Sequence, residues 1–235
     1  MIRAIAERSC ERSIAFAVPG FYLCWKTYVG RPETDALRSA AMGQLGNGLI
    51  NAGHYEDALT AKEAELSMLR RIGADEEDIL VAQGNLANSY QMLGREEQAL
   101  QVRQEVYSGR LKLLGETHSL TISAACNYAI SLKDRSRHEE AKSLMAETIP
   151  MAQRILGEGH RLALQMRRTH AAALYENPGA SPDDLREAVT TLEEIERIAR
   201  RVFGAAHPTT RSIELHLQDA RPALRAREET PSGEA

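Results

Sequence analysis

Three histidines recur at nearly regular intervals, His118, His160 and His207, and a repeated histidine is the first residue type to test for metal chemistry. Zinc ligands must all sit about 2 Å from one ion. Equivalent positions of stacked helical units lie at least about one helix diameter, ~10 Å, apart, so these three do not converge. Each is expected to start a helix and to bond a local backbone group there. The other histidines, His54, His138, His170 and His216, offer no closed set with Cys, Asp or Glu. His138 with Glu139 and Glu140 is the nearest to a cluster and is expected in a solvated first turn. Nucleophile motifs are missing: there is no G-x-S-x-G, no Walker loop and no dinucleotide-binding glycine pattern. Carboxylate pairs such as Glu193-Glu194 and Glu228-Glu229 are adjacent in sequence, so on a helix they point about 100° apart rather than converging as an acid and base must. Cys126, between Ala125 and Asn127, has no neighbouring base and reads as a packing residue. The expectation is a chain that is not an enzyme, with no metal site and no cofactor.

Composition narrows the remaining classes. Of 235 residues 43% are apolar and 26% charged, enough for a folded core. Lys and Arg total 29 against 33 Asp and Glu, a net charge of -4, which is the wrong sign for a dedicated nucleic-acid binder. Aromatics at 5%, with Gly 16 and Pro 8, are too few for an all-β sandwich and favour helices. Three cysteines (Cys10, Cys24, Cys126) without C-x-x-C spacing exclude a disulfide framework and suit a reducing compartment, so a cytoplasmic location is expected. Ser13 to Trp25 is an apolar run behind Arg3, Arg8 and Arg12, shorter than the ~20 residues of a membrane span and interrupted by Pro19-Gly20. A truncated helix packed on the first repeat is preferred to a targeting segment, and no membrane association is expected.

The elements that must position any site follow from an internal period. A glycine after an apolar residue recurs at Gly30, Gly73, Gly115, Gly157 and Gly204, at spacings of 43, 42, 42 and 47. A second marker ends on Ala58, Ala99, Ala141 and Ala188 and stays in register, absorbing the same five-residue insertion at Asn177–Pro182. Each period holds two amphipathic stretches, for example Glu76 to Leu93 and Glu96 to Leu114, separated at Gly94. The unit is a helical hairpin. Second helices open with acids (Glu56, Asp57; Glu96, Glu97; Glu139, Glu140; Asp183, Asp184) and close with bases, the polarity that suits a helix dipole. Small residues fall in phase at Gly46, Ala87, Ala129 and Ala171 on first helices and at the four alanines on second helices, where helices must cross closely. Pro150 lies within the second helix of the third unit, where a kink or an early stop is expected.

This pattern resembles the tetratricopeptide repeat and, since the period exceeds the ordinary ~34 residues, the kinesin light chain repeat in particular. The residues that carry the likeness are Asn85-Leu86-Ala87 with Tyr90, Gly94-Arg95, Glu97 to Leu100, and the connectors Leu114 to His118 with Thr121, Leu156 to His160, and Phe203 to Pro208 with Thr210. The likeness covers roughly residues 30 to 224. It implies an all-α fold, a right-handed superhelical solenoid of tetratricopeptide helical hairpins. Departures are visible: only His207-Pro208 keeps the His-Pro pair, Glu33 and Glu76 stand where other connectors carry His, and only Tyr55 follows a turn as tyrosine. No a/d heptads precede residue 30, so association with a motor chain is not carried over.

The expected organisation is an irregular or partly helical segment at 1–30, a repeat domain at 31–224 of about four hairpins with a capping helix, and a disordered tail at 225–235. Solenoids of this kind curve into concave binding surfaces, and the resemblance implies that first helices line the concave side. Residues two before and one after each small position then face a peptide groove: Gln44, Asn47, Asn85, Asn88, Asn127, Ile130, Thr169 and Ala172, followed by His216, with Gln91, Lys133, Gln165 and Arg168 beside them. Asparagine offers both a donor and an acceptor to an extended backbone, and the resemblance implies the same use. The reading is a scaffold or adaptor for a protein or peptide partner, without nucleic acid or membrane. The alternative is a self-assembling repeat element, or part of a larger array, in which the N-terminal apolar segment with Phe16, Phe21, Tyr22 and Trp25 caps a second copy.

Overall fold

The computed structural model describes residues 19–229, which form ten helices and no strand. They are α1 (Pro19–Tyr28), α2 (Ala36–Asn51), α3 (Tyr55–Ile72), α4 (Glu76–Met92), α5 (Glu96–Leu114), α6 (Ser119–Asp134), α7 (His138–Leu156), α8 (Arg161–Tyr175), α9 (Pro182–Phe203) and α10 (Pro208–Glu229). The chain divides into two compact units, the first ending at Leu113 and the second starting at Leu114. The apolar residues before Pro19, Phe16 among them, and Cys10 lie outside the described residues, as does 230–235 of the expected tail.

In unit one, the hairpins α2–α3 and α4–α5 follow α1, which packs on α2. Trp25 of α1 is 7% exposed, enclosed with Met42, Leu45, Leu49, Ala58 and Met68. Its indole is committed to this core and is not free to cap a second copy, which removes it from the self-assembly reading. A second cluster joins α3 to α4 through Leu59, Leu66, Leu69, Ala82 and Leu86. In unit two the hairpins α6–α7 and α8–α9 precede α10, and Leu164, Leu174, Leu192, Ile195, Ile213 and Leu217 form the core shared by α8, α9 and α10. All eight small in-phase positions are buried, with Ala58, Ala87, Ala129, Ala141, Ala171 and Ala188 fully so. A side chain there sets how closely two helix axes approach, which is why the positions repeat.

Three hairpin turns are short and need a left-handed residue. Gly53 (φ 80°) and Gly94 (φ 69°) supply it, and in the third hairpin Ser136 takes the same place at φ 58°. The fourth turn is longer, Glu176–Ser181 where its counterpart is Arg135–Arg137, and α9 has 22 residues where α7 has 19. The five inserted residues are therefore shared between the turn and the helix rather than confined to the turn. Pro150 does not stop α7, which runs on to Leu156. The closing helix continues to Glu229, beyond Leu224, and Arg227 donates to the Ala180 carbonyl at 2.9 Å. Residues 225–229 are thus helical rather than tail, tied to the lengthened turn.

Candidate functional site

First helices are started by the recurring histidines. Nδ1 of His118 and His160 accepts the backbone N–H of Leu120 and Leu162, each at 3.2 Å, and Nδ1 of His207 accepts that of Thr209 at 3.1 Å. The bond uses the unprotonated nitrogen, so each ring carries its proton on Nε2. Among the described residues no three His, Cys, Asp or Glu side chains gather as a metal would require. Glu33 and Glu76 do not take over the cap in the first two units. Asp35 does so for α2, accepting the Leu37 N–H at 2.9 Å, and Asp75 precedes α4 without a side-chain bond. His138 corrects another expectation: it is buried, with Nδ1 lacking a hydrogen-bond partner, rather than solvated.

In unit one the first helices α2 and α4 contact each other and present the expected polar positions. Gln44 and Asn88 are exposed, while Asn47, Asn85 and Gln91 are half-buried. Two of these five are already engaged: Arg103 of α5 donates Nη2 to Asn88 Oδ1 at 3.2 Å and to Gln91 Oε1 at 2.6 Å. Gln44, Asn47 and Asn85 make no side-chain hydrogen bond among the described residues. Arg103 stands four residues after Ala99, and Lys62 occupies the same place after Ala58 on α3. Lys62 is completely buried, donates to the Gly43 carbonyl at 2.7 Å and lies 3.7 Å from Glu65 Oε2. Burial pulls the Lys62 ammonium below its ordinary range and pushes the Glu65 carboxyl up, and each partner's charge works against the shift. A Cβ on Gly46 would meet Lys62 Cε at 2.6 Å, so this small position clears a path for the lysine stem. In unit two the same places hold Met145 and Leu192, both fully buried. The in-phase charge four residues after each of the first two alanines was the sequence signal for these buried cations.

In unit two the first helices are α6, α8 and α10, with α8 in contact with both others. Asn127 is exposed on α6 and Gln165 half-buried on α8. Thr169 is withdrawn from the candidate set: it is 3% exposed and its Oγ1 donates back to the Gln165 carbonyl at 3.0 Å. Ala172 is buried as well. Lys133, Arg168 and His216, by contrast, join one network. Arg168 Nη1 donates to Ser212 Oγ at 2.7 Å and to His216 Nε2 at 3.0 Å. A guanidinium can only donate, so His216 carries its proton on Nδ1 and gives it to the Tyr175 hydroxyl at 2.7 Å. Burial first and then the Arg168 charge lower the His216 pKa, which keeps the ring neutral. Burial and the nearby Glu176 raise that of Tyr175. Lys133 pairs with Glu176 at 2.8 Å and Asp134 at 3.2 Å, and these partners outweigh burial and raise its pKa. Arg168 keeps Nε and Nη2 without a partner among the described residues.

Known proteins can be set beside this geometry. The family model for the tetratricopeptide repeat matches residues 78–154. Over this stretch the chain is similar to tetratricopeptide repeats. No curated protein matches the sequence. Among solved structures, nearly identical TPR-like repeats assigned to a kinesin light chain of Podosopora anserina superpose with a TM-score of 0.69 at 21% identity, covering 82% of this chain and 89% of that one. BtubC (BKLC) from P. vanneervenii gives a TM-score of 0.67 at 16% identity and covers 97% of this chain and 96% of its own. At these identities the likeness is one of fold, an all-helical tetratricopeptide array of the kind seen in kinesin light chain-like proteins. Among the described residues no helix is long and apolar enough to cross a membrane.

Proposed function

We propose that the chain is a scaffold or adaptor whose first helices hold an extended protein or peptide segment, and that it is not itself an enzyme. The observation that carries the reading is the set of unengaged amides on α2 and α4. Gln44, Asn47 and Asn85 stand beside buried positions of their helices, yet make no side-chain hydrogen bond among the described residues. Amides that do no structural work on an accessible helix face suit the alternating N–H and C=O groups of a peptide backbone. In unit two, Asn127 stands at the equivalent register position of α6, and Nε and Nη2 of Arg168 offer donors to a carbonyl or carboxylate of a segment held by that unit. A cytoplasmic location agrees with three cysteines that show no C-x-x-C spacing.

Selection of a random peptide display against the purified chain tests the reading. Peptides should emerge whose binding weakens on Asn85→Ala. If nothing is enriched, or if enriched peptides ignore the substitution, the first-helix face is not a peptide site.

A further inference from the structure

The polar face of unit one ends in a cavity of about 440 Å³, bounded by the start of α2, the end of α3 and the start of α4. Five of the side chains lining it are carboxylates, Glu33, Asp35, Glu65, Asp75 and Asp78, and none is basic. Two are already satisfied. Glu33 receives Nε and Nη2 of Arg71 at 2.9 and 2.7 Å, and Asp35 is bonded by Arg31 at 3.0 Å while it caps α2. The other three accept no such short side-chain bond. Asp75 makes no cap bond, and Asp78 has no partner among the described residues. Glu65 is the independent observation: the residue is only 7% exposed, lines the cavity, and its Oε2, although 3.7 Å from the Lys62 ammonium, accepts no hydrogen bond because Lys62 spends its short bond on the Gly43 carbonyl. A buried carboxylate oxygen left this way is costly unless a donor reaches it.

The remaining walls are mostly apolar, with Ala40, Leu69, Ile72, Val81 and Ala82 beside the hydroxyls of Thr34 and Ser39, and Val81 is 44% exposed. An aliphatic stem ending in a cation with several donors matches this combination. An anion is repelled, and among the described residues no three ligand side chains are close enough for a metal. A purely apolar group leaves Glu65 as it is. The carbonyl end of α3, at Leu69–Gly73, adds the negative pole of a helix dipole. Register places the cavity on the proposed binding strip: Val81 and Asp78 lie four and seven residues before Asn85, and Ala40 four before Gln44, on the same helix faces.

We propose that this cavity receives a basic side chain of the segment bound by unit one, with arginine favoured by its multiple, forked donors; the inference rests on the peptide-binding reading above. The test titrates N-acetyl-arginine N-methylamide into the isotopically labelled full chain and follows the amides of Gly73, Asp75, Asp78 and Val81 by NMR, with the norleucine analogue as the stem-only control. Saturable shifts at these amides with the arginine compound alone, and a Kd raised at least tenfold in Asp75→Asn with Asp78→Asn, are expected. Shifts that do not saturate, that norleucine reproduces, or that survive removal of both charges overturn the proposal. Peptide display separates the two claims. Selected peptides that depend on Asn85 but show no enrichment of Arg or Lys leave the peptide face standing and overturn the cavity's role. Enrichment lost specifically in the Asp75→Asn, Asp78→Asn chain supports it.

Discussion

His160 holds the start of α8 through one bond to the Leu162 N–H. Removing it by His160→Ala should cost about 1 kcal/mol, the usual worth of a capping side chain, and His160→Asn should restore most of it; thermal denaturation of the three proteins reads the difference. The buried Lys62 and Glu65 make a sharper case. Lys62→Met alone leaves a buried carboxylate without its counter-charge and should destabilise by about 3 kcal/mol in urea unfolding. The pair Lys62→Met with Glu65→Val copies what other repeats carry, Met145 and Val106, and should lie close to wild type or above it, because a buried ion pair repays its desolvation poorly. At this scale the histidine caps were legible in the sequence, since a cap is a local bond between residues two apart. The packing of the Trp25 helix on the first repeat was legible too, whereas the burial of Thr169 and His138 was not, because it depends on helices distant in sequence.

Each hairpin depends on its turn and on the bonds that tie it to the next. Ser136 occupies a left-handed conformation that glycine fills in the two preceding turns, and such a residue costs about 1–2 kcal/mol. Ser136→Gly should therefore raise the stability of unit two by roughly 1 kcal/mol, less the entropy that glycine brings to the unfolded chain, measured by urea denaturation. Neighbouring hairpins are joined at one-period separations. Lys142 of α7 bonds Asp184 of α9 at 2.6 Å, and together with the Ser181 capping box it lowers the Asp184 pKa to about 2. The folded value lies below the unfolded one of 3.8, so the stabilisation is complete above about pH 4 and is lost as pH falls from there through 2. Lys142→Ala should flatten this part of the acid-denaturation curve, followed by circular dichroism. The acids that open second helices were read as helix-dipole partners, and they are that. Their second role, bridging to the adjacent hairpin as Glu56 does to Arg95, was not legible, because the period places both residues without saying which side chains meet.

For the whole molecule, the repeat period made the hairpins legible before any coordinate, since small residues at crossing points and left-handed glycines at turns are requirements of backbone geometry. The proposed partner face was legible only in part: the period nominated its positions, and tertiary packing engages Asn88 and Gln91 and buries Thr169. Each unit keeps exposed or half-buried amide positions on its first helices, and their use as a peptide-binding face is the central claim. Calorimetric titration of a display-selected peptide into wild type and into the Asn85→Ala, Asn127→Ala chain tests it most directly. The account predicts binding about tenfold weaker in the double variant, the worth of one or two hydrogen bonds to a bound backbone, with a nearly unchanged melting temperature. Equal affinity for the two proteins would contradict it.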